Sequence, residues 1–360
     1  MNERLVPPPT KGHLSVARLT RAWYVACESR ELGQKPIART VLGVPLVLFR
    51  SNGQAGALLD RCPHRNVPLS LGRVGRGGQL ECRYHGWQFE TSGRCALIPG
   101  LSGASEARER RAPAAAVRER DGLIWVWPEL DEAPVGEPFA LPDHGGGYTR
   151  VLRRVEAPAT LQATLENALD VPHTAFLHRG LFRGAKTNEI RATVRRSSDR
   201  VEVEYVGEPR PNGVAGFLLS PSGGTVEHWD RFILPSVAQV EYRLGKETHF
   251  LVTAFGTPVS DFETRLFAVV DFRTLLPGLL LRRVLEPVAL AIFRQDVKIL
   301  KAQAETVRAF GGEQFMSTEL DLLGPHIWRL LKQAEAGDFG RDAGTANGGT
   351  IEEREVRFSA

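Results

Sequence analysis

The chain has 360 residues, 42% hydrophobic and 24% charged, with a formal net charge of +4 and four cysteines. That composition excludes a chain disordered throughout and a disulfide-built scaffold, and it leaves enough apolar surface for a sizeable core. Basic residues alternate with acidic ones, as in Arg108-Glu109-Arg110-Arg111 and Arg118-Glu119-Arg120, so the positive excess reads as a mixed solvated surface with no nucleic-acid partner.

Met1 to Lys11 carries three prolines and no apolar leader core, and residues 1–20 read as an N-terminal arm. From Val41 to Trp127 short strand-like runs alternate with turn signals: Leu46-Val47-Leu48-Phe49, Ser51-Asn52-Gly53, Ala57-Leu58-Leu59 and Leu123-Ile124-Trp125-Val126-Trp127. A small all-β domain over 21–130 is expected. Four prolines and three successive glycines between Pro128 and Gly147 mark a linker, drawn at 131–150. Beyond it Leu161 to Phe176 has helical character, and Val201 to Val206 alternates as a half-buried strand. Strands continue to Val270, followed by helical signals over Leu279–Phe310, with Pro287 near a start or kink, and over Ile327–Ala336. The second domain, 151–337, is therefore α+β. The glycine-rich charged tail, 338–360, reads as loose. No run of about eighteen apolar residues occurs, because Arg282, Arg283 and Glu286 interrupt Leu275 to Ile292. A cytoplasmic protein without a membrane span is expected.

Two groups of residues carry chemistry. In the first, Cys62-Pro63-His64 and Cys82-Arg83-Tyr84-His85 each supply one thiolate and one imidazole. A Rieske-type [2Fe–2S] cluster needs two cysteines on one iron and two histidines on the other. Tetrahedral zinc accepts the same four residues, although zinc modules space cysteines with cysteines and histidines with histidines. Gly86 and Trp87 follow at once as a tight turn and an apolar cover, whose plain reading is turn and core. Cys27 and Cys95 read as buried bystanders.

The run Cys62-Pro63-His64-Arg65 with Cys82-Arg83-Tyr84-His85-Gly86-Trp87 resembles the Rieske domain of the aromatic-ring-hydroxylating oxygenases. Respiratory and photosynthetic Rieske proteins carry an extra cysteine in each loop. Val67 and Tyr84 stand there in this sequence, which implies the lower-potential oxygenase type.

The second group is Asn167-x-x-Asp170-x-x-His173-x-x-x-x-His178. Two histidines and a carboxylate on one face of an octahedron suit non-haem Fe(II) and leave room for dioxygen and substrate. Positions five apart on a regular helix lie about 140° apart, so His173 and His178 converge only if the chain bends. Pro172 supplies a cause, and Gly180 a helix stop. For the carboxylate, Leu285, Ala289, Ile292, Asp296, Leu300 and Gln303 repeat at helical spacing, which puts Asp296 on an apolar stripe. A buried carboxylate needs a cation, and Arg294 is the alternative to a metal. Asp271, Glu286 and Glu305 are weaker candidates.

This second group is similar to the catalytic domain of the same oxygenases, so the resemblance spans nearly the whole chain. It implies that His173, His178 and Asp296 hold a mononuclear Fe(II), that Asn167 lies near it, and that Asp170 bridges toward a Rieske histidine. It also implies an antiparallel sheet flanked by helices, of the helix-grip or START-like kind. A head-to-tail homotrimer is expected, with His85 of one subunit facing Asp170 and His173 of the next. An NAD(P)H-dependent reductase, with or without a ferredoxin, would supply the electrons, because no Gly-x-Gly-x-x-Gly run opens a helix. Length and motif spacing resemble the homotrimeric ketosteroid hydroxylases, vanillate-type O-demethylases and aminopyrrolnitrin oxygenase. The expected activity is O2-dependent hydroxylation of an aromatic, heterocyclic or polycyclic small molecule. Demethylation, desaturation and a Rieske-type electron carrier without oxygenase activity are the alternatives. Phe217, Leu218, Leu219, Trp229, Phe232, Ile233 and Val237 are either pocket lining or plain core strands.

Overall fold

The computed structural model describes residues 12–101, 110–178, 189–208, 225–246, 248–274, 278–338 and 351–359. The chain divides into two units, Leu19–Pro142 with Thr257–Ser260, and Met1–Arg18 with Asp143–Gly256 and Asp261–Ala360. Among the described residues the first unit is built of strands and short 3-10 turns.

Its larger sheet contains β1 (Tyr24–Glu28), β2 (Ile37–Val41), β3 (Val44–Ser51) and β4 (Gln54–Leu59). Its smaller sheet contains β5 (Arg73–Val74), β6 (Leu80–Glu81), β7 (Gln88–Phe89) and β8 (Cys95–Leu97). β9 (Ala114–Arg120) and β10 (Leu123–Trp127) complete the larger one, ordered β1-β10-β9-β4-β3-β2, while the smaller runs β5-β6-β7-β8. Three hairpins turn on two residues of positive φ, Leu42-Gly43, Asn52-Gly53 and Asp121-Gly122, and such turns match the twist of the strands they join. Val47, Phe49, Leu58, Leu69, Leu80 and Phe89 form a core that also encloses Cys62, Cys82 and Cys95. Burying those side chains holds the loops at Cys62 and Cys82 on one rigid base. Cys27 is buried in β1.

The second unit is an antiparallel sheet with helices packed on it. Its strands are β11 (Thr149–Ala157), β12 (Glu189–Arg196), β13 (Arg200–Val206), β14 (Val226–Ile233), β15 (Val237–Leu244), β16 (Thr248–Ser260), β17 (Glu263–Arg273) and β18 (Glu352–Ser359). Their order is β11-β17-β16-β15-β14-β13-β12-β18. The helices are α1 (Leu161–Leu169), α2 (Val171–Leu177), α3 (Gly278–Ala309) and α4 (Gly324–Gln333). α1 packs over β14 and β15. A Cβ on Gly256 of β16 would come within 2.6 Å of Leu161, so a glycine there lets α1 approach. This is the α+β class that the sequence led us to expect. No helix among the described residues is long and apolar enough to cross a membrane.

Three local expectations change. The tail is not loose throughout: Glu352–Ser359 pairs residue by residue with β12, because backbone N–H and C=O groups at a sheet edge accept another strand. Pro287 lies inside α3, so of the two places expected for it, a start or a kink, the start is excluded. Trp229 does not line the inner face of the sheet: it is half-buried between Arg231 and Arg243, whose guanidinium carbons lie 5.9 and 5.3 Å from its ring. Phe232 and Val237 are core residues, and Phe217, Leu218 and Leu219 fall outside the described residues.

Alternation along β13, β14 and β15 brings Tyr205, His228 and Tyr242 side by side on one face. His228 is stacked between the two phenol rings, 4.5 and 3.9 Å away. Its Nε2 lies 3.0 Å from Asp230 and its Nδ1 3.3 Å from Glu208. Burial opposes charge on this imidazole, but Asp230, then Glu208, outweigh it and raise its pKa from 6.5 to about 9. A raised pKa gives stability that is complete below about pH 6.5 and lost as pH rises through about 9. In urea unfolding, wild type should therefore exceed His228→Gln most at pH 6, and the gap should shrink by pH 9.5. A gap independent of pH would rule out a charged His228.

Candidate metal centres

The two Cys/His loops share one backbone design. Cys62 donates its N–H to Val67 O at 2.9 Å and accepts from Asn66 N at 2.8 Å. Cys82 donates to Trp87 O at 2.8 Å and accepts from Gly86 N at 3.0 Å. Each loop therefore closes on the residues four and five places after its cysteine, and each needs a positive φ at the fourth, Asn66 at 61° and Gly86 at 70°. The first loop is tied down by Asp60, whose carboxylate accepts from Ser70 N and Oγ at 2.7 and 2.6 Å. The histidine differs in place, two positions after its cysteine in one loop and three in the other.

This design sorts the four side chains by type. Cys62 and Cys82 are buried, and burial together with the neighbouring Cys82 thiol pushes the Cys62 pKa up to about 11. His64 and His85 lie ring to ring at 4.5 Å, with His85 exposed. Trp87 holds His64 in place, its ring stacked on the imidazole at 4.8 Å and 9°. Sulfur sits with sulfur inside, imidazole with imidazole outside, which suits a cluster whose two irons take different ligands. A single zinc ion would draw all four ligand atoms to about 3.3–3.8 Å of one another. Among the described residues the group of three or more such side chains with ligand atoms all within 4.8 Å lies elsewhere, so the four do not converge on one ion. His64 Nδ1 is buried without a hydrogen-bond partner, as a nitrogen lone pair waiting for a metal is.

The group that does converge is His173, His178 and Asp296. His173 Nε2 and His178 Nε2 are 3.3 Å apart, and Asp296 Oδ1 is 3.5 and 3.0 Å from them. Ligands about 2.1 Å from a cation on one octahedral face lie about 3.0 Å from each other, so these edges fit a small cation. Asp296 Oδ1 is buried without a hydrogen-bond partner. Such an atom is costly unless a cation meets it.

The local chain explains the convergence, and not by the route expected from Pro172. Thr160 caps α1, its hydroxyl accepting from Ala163 N at 3.1 Å, and the helix stops at Leu169. Asp170 leaves helical geometry at φ −90°, ψ 97°, and Pro172 stands in the first turn of α2, where a missing N–H costs nothing. His173 is thus in the first turn of α2, while His178 is the residue just past it, at φ −109°, ψ 42°. Unwinding at His178 resolves the angular conflict of a five-residue spacing. Asp170 meets His173 from the cap rather than along a shared helix face, its Oδ2 lying 3.6 Å from His173 Nδ1.

α3 supplies the rest. Its buried stripe runs through Leu300, Ala304 and Val307, and Gln303 is exposed, so Asp296 enters at the edge of that stripe. Arg294 is exposed and Glu305 lies near Lys301. Asp271 is held by Arg150 at 2.6 and 2.9 Å, and the side chain of Glu286 falls outside the described residues. His173 feels burial, which opposes charge, more than offset by Asp170 and Asp296, and its pKa rises to about 9. Two carboxylates therefore make this a site of negative potential. Asn167 is half-buried in the last turn of α1, its carbonyl accepting from Asp170 N at 3.5 Å. Beyond Asp170 a cleft is lined by Glu166, Pro172, Tyr205 and Asp321. Burial raises the Glu166 pKa to about 7, with Asp321 and Asp170 adding to the effect. Nothing in the sequence pattern singles out Gln295, whose Oε1 lies 2.6 Å from His178 Nδ1.

A centre suited to pass electrons singly and a second suited to bind dioxygen, each in its own domain of one chain, define the Rieske-type non-haem iron oxygenases. Comparison with known proteins agrees. Residues 22–108 match the Rieske [2Fe-2S] domain, and residues 157–337 match the vanillate O-demethylase oxygenase C-terminal domain. The chain belongs to this oxygenase family. It is 35% identical over 241 residues to the oxygenase component of dicamba O-demethylase from Stenotrophomonas maltophilia, a match that spans 63% of this chain and 60% of that protein. It is 27% identical over 358 residues to the vanillate O-demethylase oxygenase subunit from Pseudomonas sp. (strain HR199 / DSM 7063), covering 88% and 95%. The crystal structure of dicamba monooxygenase bound to 3,6-dichlorosalicylic acid is 27% identical, superposes with a TM-score of 0.76 and covers 91% of this chain and all of that one.

The loop design itself is testable. Gly86 combines a φ of +70° with a Cβ position 3.0 Å from Pro99. Gly86→Ala should cost roughly 1–2 kcal/mol in urea unfolding. Gly86→Asn should cost less, since Asn66 holds the same conformation in the twin loop; equal costs would show that packing against Pro99, and not φ, demands glycine.

Proposed function

We propose that this chain is the terminal oxygenase component of a multicomponent system acting on an aromatic small molecule. Within that class we favour oxidative removal of a methyl group from an aromatic ether. The observation that carries the proposal is the convergence of His173, His178 and Asp296 to edges of 3.0–3.5 Å in a chain that also bears the twin Cys/His loops. An electron carrier would have no use for the second set. What favours demethylation over ring hydroxylation is that the C-terminal match is to a vanillate O-demethylase domain and that both relatives named above are O-demethylases.

In this reading Cys62 and Cys82 hold one iron of a [2Fe–2S] cluster, and His64 and His85 hold the other. His173, His178 and Asp296 hold a mononuclear Fe(II). Bound by these residues, the two groups would supply one-electron transfer at the Cys/His loops and, at the His173–His178–Asp296 face, dioxygen reduction coupled to oxidation of a substrate C–H bond. Per methyl group removed, dioxygen, two electrons and two protons are taken up, and a phenol, formaldehyde and water are released. Electrons come from NAD(P)H through a reductase, with or without a ferredoxin.

The residues have separate tasks. Asp296 gives the cation its anionic ligand, and the two imidazoles leave the remaining positions open. Asp170 faces His173 Nδ1 and also opens on the cleft beside Glu166 and Asp321, so it joins the metal face to the surface. His85 is exposed on its loop. We place the chain in a homotrimer in which His85 of one subunit reaches Asp170 of the next, and in the cytoplasm.

Two substitutions test the assignment. Asp296→Ala should leave the visible cluster spectrum intact and lose the remaining iron; loss of both, or of neither, counts against it. Asp170→Ala should keep both centres yet lower turnover by roughly 10–100-fold or more. Reductase-coupled oxygen uptake with a panel of aromatic methyl ethers should release formaldehyde. Hydroxylated product with the methyl group retained would favour ring hydroxylation instead.

A further inference from the structure

The two imidazoles that converge with Asp296 have unlike neighbours behind them. His173 Nδ1 faces the carboxylate of Asp170 at 3.6 Å. His178, 2% exposed, has its Nδ1 2.6 Å from the amide oxygen of Gln295. Gln295 adjoins Asp296 on α3, so one turn of one helix brings both a carboxylate to the metal face and an acceptor to the back of the facing imidazole.

We infer that Gln295 is a positioning residue that fixes the tautomer and ring orientation of His178. The inference rests on the iron site proposed above. An amide oxygen only accepts, so at 2.6 Å it requires the proton on Nδ1 and leaves the Nε2 lone pair directed at Asp296 and His173. Without that acceptor the ring has a second tautomer, with the proton on Nε2, which cannot bind a cation. Partners of this kind behind a ligating histidine are worth roughly 10–100-fold in metal affinity. The amide does this without adding charge. The face already has Asp296, with Asp170 behind it, and these two carboxylates balance a divalent cation.

The test is iron(II) binding to the cluster-loaded protein, measured by chelator competition. Wild type must first bind iron at this face; if it does not, the iron assignment fails and the role of Gln295 is not what is at fault. Gln295→Asn withdraws the carbonyl by one methylene, about 1.5 Å. It should weaken iron binding by roughly 10–100-fold while the cluster spectrum and unfolding midpoint stay as in wild type. Gln295→Glu presents an acceptor at the same reach and should bind iron at least as tightly as wild type. Wild-type affinity in Gln295→Asn overturns the inference. So does an affinity in Gln295→Glu as low as that of the asparagine variant, because the rescue depends on the acceptor alone.

Discussion

The second unit is organised around a close meeting of ligand-type atoms whose cost a bound cation would relieve. Two imidazole nitrogens and a carboxylate oxygen meet within 3.0–3.5 Å, and the oxygen is buried with no hydrogen bond. Hydrophobic packing alone would not assemble such a group, since each polar atom gives up water to get there. The surrounding elements hold it in place. α1 is capped by Thr160, packs closely against Gly256, and through Gln162 Nε2 is bonded at 3.1 Å to Gly324 O at the start of α4. Its end fixes where Asp170 leaves the helix, and that break fixes His173 and His178.

The first unit solves a different problem by repetition. Two loops adopt the same pair of backbone bonds around a cysteine, and a buried core beneath them fixes their separation. The two imidazoles lie ring to ring at 4.5 Å, while both cysteines are buried. Burial then separates the two kinds of side chain: the thiols are enclosed, and His85 is left exposed. Trp87 and Asp60 contribute stiffness, so that little ordering entropy remains to be lost when the ligands are engaged.

Within the second unit, carboxylates gather beside the candidate metal face. Asp170 is part of both the back of the candidate metal face and a cleft with Glu166 and Asp321, a cluster of acids in which burial raises the Glu166 pKa to about 7. His228, on the sheet face that also carries Tyr205 of that cleft, is enclosed by two tyrosines and faced by two carboxylates. Polar groups buried this way rigidify the sheet around the site as long as each is matched.

By itself the sequence singled out the candidate ligands. The spacing of Cys62, His64, Cys82 and His85, the Asp170–His178 segment and Asp296 at helical period mark them, because local residue types and periodicities are written in one dimension. It also determined the order of elements, an all-β unit before an α+β one, and the Asn52-Gly53 turn. Tertiary structure alone decided how those ligands meet. Whether four residues share one ion or sort into sulfur and imidazole pairs depends on loops brought together by a common core. The pairing of Glu352–Ser359 with β12 depends on neighbours far away in sequence, and so does the meeting of Asp296 on α3 with the two histidines beside α2. Gln295 shows the difference most plainly. An exposed amide next to a ligand has no pattern of its own, and it gains its place only when α3 brings it to 2.6 Å from a ring more than a hundred positions earlier.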